Sequence, residues 1–201
     1  MVFMILYRFR PFNQHTITEL LTEKLHFSHP STWNDPFEYN SDAMTDYGNR
    51  YACFAQNKSK EQDALYNILM WSHYADAHKG ICIEYEYRNW KYEPDYRVLS
   101  GGVSIRYGQI EGIACKNRCW EYENEYRMIA FFNSTFYEGI NLQYSEIRLK
   151  IKAIFCGVKF DENQLETLKI IRGRQDFEIF TGKVENYNSI KFTKTGAVER
   201  T

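Results

Sequence analysis

Apolar and polar residues recur along this chain at two spacings, and these divide it into strands and helices. Residues 81–87 (ICIEYEY) alternate strictly, with Ile81, Ile83, Tyr85 and Tyr87 on one face and Cys82, Glu84 and Glu86 on the other, the period of a β-strand. Further apolar or alternating runs predict strands over 1–10, 25–28, 51–55, 103–107, 120–132, 149–158, 177–182 and 184–192. Helical spacing is rarer. Thr16-Ile17-Thr18-Glu19 fits a capping box ahead of Leu20, Leu21 and Leu25, with the Thr16 hydroxyl accepting from an early amide and Glu19 reaching back. A second helix is predicted over 64–77, with Leu65, Ile68, Leu69 and Ser72 packed and Gly80 just past its end. Asp161-Glu162-Asn163-Gln164 opens a third, with Leu165, Leu168 and Ile171 turned inward. Residues 89–99 and 133–145 read as polar connections, the latter an excursion expected to be mobile or to face a partner. No linker or repeat divides the chain, so the expectation is one domain over residues 1–201. Its class is α+β, with strand-rich mixed sheets and a few short helices.

Composition narrows the partners. The 25 basic and 26 acidic residues leave a formal net charge of -1, so a nucleic-acid partner would need a local patch. Aromatics make up 17% of the chain, a density that suits sheet surfaces and pockets for flat ligands. Of the five cysteines, Cys53, Cys82 and Cys156 sit in apolar runs, while Cys115 and Cys119 lack the second pair that a zinc site needs; no metal is expected. Residues 1–7 are too short and lack the basic flank of a signal peptide. No run approaches a membrane span. The expectation is a reduced, cytoplasmic protein with no membrane association.

Three segments carry candidate chemistry. In residues 120–132 (WEYENEYRMIAFF), an extended chain sets Glu123, Glu125 and Arg127 on one side, continued by Ile129 and Phe131. A carboxylate where a wet face meets a buried one has a controllable pKa and orientation, so any chemistry is expected at Glu125; a partly exposed edge strand has the same pattern. Trp71, Tyr74 and His78 are three and four apart and share a helix face. That row suits stacking on a flat ring, and equally suits a helix end packing aromatics on the sheet. Arg8 and Arg10 share a strand face opposite Tyr7 and Phe9. Their planar forks suit phosphate oxygens, though a solvated strand end would look alike. The loop 33–38, with Asn34 and Asp35, either closes over a ligand or is a turn anchored by Trp33 and Phe37. Glycine-rich phosphate loops, G-x-S-x-G elbows and H-E-x-x-H helices are absent.

Several of these pieces occur together in a bacterial family. Leu6-Tyr7-Arg8-Phe9-Arg10, Phe27-Ser28-x-Pro30-x-x-Trp33-Asn34-Asp35-Pro36-Phe37-Glu38, Cys53-Phe54, Met70-Trp71-x-x-Tyr74-Ala75-x-x-His78-Lys79-Gly80 and Trp120-x-Tyr122-Glu123-x-Glu125-Tyr126-Arg127 resemble, in order and over nearly the whole chain, the domain of unknown function twenty-nine seventy-one. That resemblance implies a bacterial or phage-related intracellular protein, often set among defence or mobile-element genes, and brings no reaction with it. More distantly, the order of basic strand, helix, short strand, aromatic-bearing helix and strand-borne Glu is similar to ADP-ribosyltransferases of the compact toxin type that modifies nucleic acid. This second likeness implies a split sheet, NAD as substrate and an acceptor that is nucleic acid or protein. It further implies an antitoxin or immunity partner, a cofactor-holding role for Arg10, a nicotinamide-pocket role for Trp71 or Tyr74, and a catalytic role for Glu125 with Glu123 beside it. The chain departs from that pattern in lacking a His-Gly-Thr or Ser-Thr-Ser run. Two competing readings remain: a non-catalytic module binding a nucleotide or protein, and a metal-dependent nuclease built on Glu84, Glu86, Glu123 and Glu125.

Overall fold

A computed structural model describes residues 2–33, 48–57, 59, 63–89, 96–98, 104–108, 118–131, 138–187 and 189–195. In chain order the elements are β1 (Val2–Arg10), α1 (Gln14–Thr22), β2 (Lys24–Phe27), β3 (Asn49–Ala55), α2 (Ile68–Tyr74), β4 (Ile81–Asn89), β5 (Tyr96–Val98), β6 (Ser104–Gly108), β7 (Glu125–Phe131), β8 (Ile140–Gln143), β9 (Leu149–Cys156), α3 (Glu162–Arg172), β10 (Glu178–Asn186) and β11 (Ser189–Lys194). Nine described strands form one sheet in the order β11-β10-β9-β4-β1-β3-β7-β6-β5, and β2 and β8 pair apart from it. Among the described strand pairs only β9 and β10 run parallel, joined through α3, as a parallel pair requires a crossover. The class is α+β.

The central strands of the sheet pack on both faces. One face carries Leu6, Phe54, Ile83, Tyr85 and Met128 into a core shared with Leu20 of α1, Leu25 of β2 and Leu168 of α3. The other carries Tyr7, Phe9, Cys82 and Phe155 against Met70 and Trp71 of α2. The strict alternation of β4 is therefore real: Ile81, Ile83, Tyr85 and Tyr87 are buried, while on the other side only Cys82 is, and Glu84 and Glu86 stay part-exposed.

Local chemistry moved several boundaries. Asn13, not Thr16, caps α1, its side chain accepting from the Thr16 amide at 3.1 Å. Thr16 and Glu19 turn into the core with Leu20 instead of forming a capping box. The helix expected over 64–77 is shorter. Asn67 accepts from the amides of Leu69 and Met70 and so starts α2, while 64–66 is a separate 3-10 turn capped by Asp63. Ile68 and Leu69 are consequently exposed, and Met70 and Trp71 take the buried side. Part of the expected excursion over 133–145 is strand β8, whose Leu142 pairs with Leu25 of β2. The last hairpin turns beyond Asn186 instead of at Gly182. Gly182 is a strand residue whose missing side chain lets the backbone pass Cys156, since a Cβ there would lie 2.9 Å from the Cys156 carbonyl oxygen.

Candidate functional site

The sheet is nearly cut between its two central strands. β1 keeps a full nine-rung ladder with β4, from Val2↔Asn89 to Arg10↔Ile81, but meets β3 at the single pair Tyr7↔Ala55. Beyond that rung β3 finds another neighbour: Ser28 donates its amide to the Tyr51 carbonyl at 2.8 Å, and the Tyr51 amide donates back at 2.9 Å. The gap so opened holds a cavity of about 410 Å³ lined by Arg8, Arg10, Cys53, Tyr74, Glu123 and Glu125, among others. By strand alternation, Arg8 and Arg10 lie on the Leu6 face of the sheet. Glu125 is paired with Ala55 and lies on the Tyr7 face. The cavity passes through the breach and touches both.

One wall is basic. Arg10 Nη1 donates to Glu19 Oε2 at 3.2 Å, and Arg8 Nη1 stands 3.6 Å from Glu19 Oε1, an ionic contact only. Glu19 Oε1 already accepts from the phenols of Tyr85 at 2.9 Å and Tyr144 at 3.1 Å. Arg8 also lies over the Phe54 ring, 5.9 Å from its centroid, and its Nη1 is buried with no hydrogen-bond partner. Arg8 is the largest influence on Arg10, lowering its pKa, followed by burial; Glu19 opposes both. Burial pulls the Arg8 pKa down, but Glu19, then Tyr85 and Tyr144, outweigh it and leave it raised. Burial pushes both phenols well above their usual range, so they act as donors.

The opposite wall is acidic. The expected unbroken strand over 120–132 is a 3-10 turn, Arg118–Glu123, followed by β7. Asn124 between them takes a left-handed φ of 41°, and its side chain donates to the Gln56 carbonyl at 2.9 Å. Glu123 and Glu125 are thus not two rungs of one strand; the break brings both to the cavity from different elements. Arg127 grips Glu125 with two parallel bonds, Nε to Oε1 at 2.8 Å and Nη2 to Oε2 at 2.7 Å, and stacks over Trp33 with 4.7 Å to the ring centroid. Tyr74 donates to Glu123 Oε1 at 2.5 Å. Glu123 is buried.

Trp71 and His78 do not join Tyr74 at the cavity. Trp71 is fully buried on the α2 side of the sheet, its indole N–H donating to the Leu65 carbonyl at 2.7 Å. The reason is the shortened helix: after Tyr74 the chain passes through Asp76, Ala77 and His78 at φ of 48°, 51° and 70°, a left-handed turn that folds the His78 ring flat against Trp71. His78 Nε2 lies 3.2 Å from Ser72 Oγ, and burial, then Lys159, lowers the ring's pKa. Asn34 and Asp35 lie outside the described residues. Glu84 and Glu86 do not line the cavity; they pair with Lys152 and Arg88. Among the described residues no group of three or more His, Cys, Asp or Glu could hold a metal ion. None of the described helices is long and apolar enough to cross a membrane.

Sequence reasoning missed Glu19, Tyr85 and Tyr144. A faint signal existed for the first: Thr16 and Glu19 are polar residues three apart on the same stripe as Leu20. Comparisons with protein-family models, with curated proteins and with solved structures returned no match.

Proposed function

We propose that the cleft consumes NAD and transfers ADP-ribose to a nucleic-acid or protein acceptor. The observation that carries this reading is the uneven charge of one cavity: Arg8 and Arg10 line one part with the Glu19 carboxylate behind them, and Glu123 and Glu125 line another with the Arg127 guanidinium behind Glu125. NAD has a matching distribution, an anionic pyrophosphate in the middle and a cationic pyridinium near one end. Arg8 and Arg10 take the pyrophosphate. Of the two rings the resemblance offers for the nicotinamide, Tyr74 lines the cavity; Trp71, sealed in the core, leaves that role.

When the bond between ribose C1′ and the nicotinamide nitrogen breaks, its electron pair leaves with the now neutral nicotinamide. Positive charge then develops on the ribosyl carbon. Glu125 stabilises that charge, held in orientation and kept ionised by the Arg127 fork. The acceptor's lone pair forms the new bond to C1′, and the proton it sheds passes to Glu123, which Tyr74 orients. A toxin or phage-defence effector with a neutralising partner follows from the family resemblance.

The decisive experiment incubates the protein with NAD and protein, DNA or RNA, and reads nicotinamide release and acceptor mass. Glu125→Gln is expected to lower release at least about 100-fold with melting close to wild type. The competing binding module has one observation in its favour, since an Arg127 fork on both Glu125 oxygens also suits an ion pair that only shapes a pocket. It is recognised by protection of the Cys53 thiol from alkylation by NAD with no release under any acceptor.

A further inference from the structure

We infer that Arg8, Arg10 and Glu19 form an anion site for a phosphate-bearing ligand, and that Glu19 is a positioning residue which holds the Arg10 guanidinium while limiting the site's charge. The first ground is the charge count. Arg8 and Arg10 are adjacent on one face of β1, their side chains only 14% and 22% exposed, and the single carboxylate between them is 4% exposed. Burying two like charges against one counter-charge is unfavourable unless a further anion arrives. The second ground is geometric. Glu19 Oε1 is filled by Tyr85 and Tyr144, so it cannot close on Arg8, whose buried Nη1 is left without an acceptor. Buried donors in native proteins nearly always have a partner. The missing charge points to an oxyanion in the cavity that both arginines line, met by the exposed parts of the two guanidiniums; Arg8 Nη1 itself is sealed from solvent.

Tyr85 and Tyr144 then have a definite task. They come from β4 and from the turn after β8, do not line the cavity, and meet at 3.3 Å. Together they pin the Glu19 carboxylate from behind, so its remaining oxygen, Oε2, faces Arg10. Arg10 is fixed by its hydrogen bond and Arg8 by the Phe54 ring, and the forks wait in place instead of collapsing onto the acid. Preorganised donors bind without a reordering cost at the moment of encounter. This assignment rests on the proposed dinucleotide reading only for the expectation that the anion belongs to a phosphate ester; it does not need catalysis at Glu125.

The test uses inorganic pyrophosphate as the probe, at constant ionic strength, with the full chain and binding read by calorimetry and by thermal shift. Wild type is expected to bind and to melt higher with the probe. Glu19→Gln keeps an acceptor for the phenols and removes the charge; it is expected to melt lower alone, yet to bind pyrophosphate about tenfold more tightly, the scale of one charge-assisted hydrogen bond. A purely structural Glu19 predicts the lower melting without the tighter binding, and that result overturns the inference. Should Glu19→Gln fail to fold, Arg10→Gln decides: with Arg8 and Glu19 left one to one, it is expected to fold and to lose the pyrophosphate response. An undiminished response in Arg10→Gln equally overturns it. Pyrophosphate binding with no NAD protection of Cys53 sinks the dinucleotide reading alone, whereas NAD protection with no effect of either variant on pyrophosphate sinks this inference alone.

Discussion

The basic and the acidic wall of the cavity solve the same problem with opposite geometry. On the acidic wall Arg127 meets Glu125 as a fork, two short parallel bonds, with its back on the Trp33 ring. On the basic wall the carboxylate is shared, one oxygen to Arg10 and the other mainly to two phenols. In the first arrangement one guanidinium takes both oxygens of a carboxylate. The second is more open, because Glu19 Oε1, taken by two phenols, meets Arg8 only at 3.6 Å. A closed pair shapes and orients, while an open one recruits.

Removing a cation should therefore have unlike consequences on the two walls. Arg127→Met takes away the fork of a carboxylate whose side chain is only 14% exposed. Breaking such a pair is expected to lower stability by about 3 kcal/mol; denaturant unfolding of Arg127→Met beside Arg10→Gln reads the difference. Arg10→Gln relieves the crowding of two guanidiniums and should change stability by less than about 1 kcal/mol. Equal losses would erase the distinction between a closed and an open wall.

The acidic wall has a second support that the basic wall lacks. Tyr74 is carried by α2, and α2 ends in the left-handed turn Asp76-Ala77-His78. A non-glycine residue in that region is strained by about 1 kcal/mol or somewhat more. Ala77→Gly is expected to raise the unfolding free energy by about 1 kcal/mol and to leave pyrophosphate binding unchanged, since it reaches neither arginine. The smallest effect concerns pH. Burial and Lys159 hold the His78 pKa below its unfolded value near 6.5, so the unfolded chain binds the extra proton first. Stability is then present above about pH 6.5 and is lost as pH falls toward the folded pKa. Thermal melts of wild type and His78→Gln should diverge on the acid side of that window and run parallel above it.

How far the sequence exposed these walls depends on what each residue's role required. Arg8, Arg10, Glu125 and Arg127 were legible because alternation along a strand assigns faces without knowledge of the partner strand. The class was legible for the same reason: most strands of the large sheet follow alternating or apolar runs. Glu19 was not, since a capping box and a buried carboxylate demand the same letter, and only the Asn13 cap, three residues earlier, decides between them. Trp71 and His78 were misplaced because helical spacing was extended through a segment that three positive φ values end at Tyr74. The Glu123 placement failed as a strand argument, for Asn124 breaks the strand, yet the residue reached the cavity by another route.

The lone Tyr7↔Ala55 rung has a mechanical consequence. It makes the nine strands two plates, β11-β10-β9-β4-β1 and β3-β7-β6-β5, hinged at one point. Each plate is stiffened by its own ladders, so the softest motion of the sheet is a scissoring of one plate against the other about that hinge. A ligand bridging the breach would act as a second fastening, and the joint between the plates would stiffen on binding although no strand changes its partner.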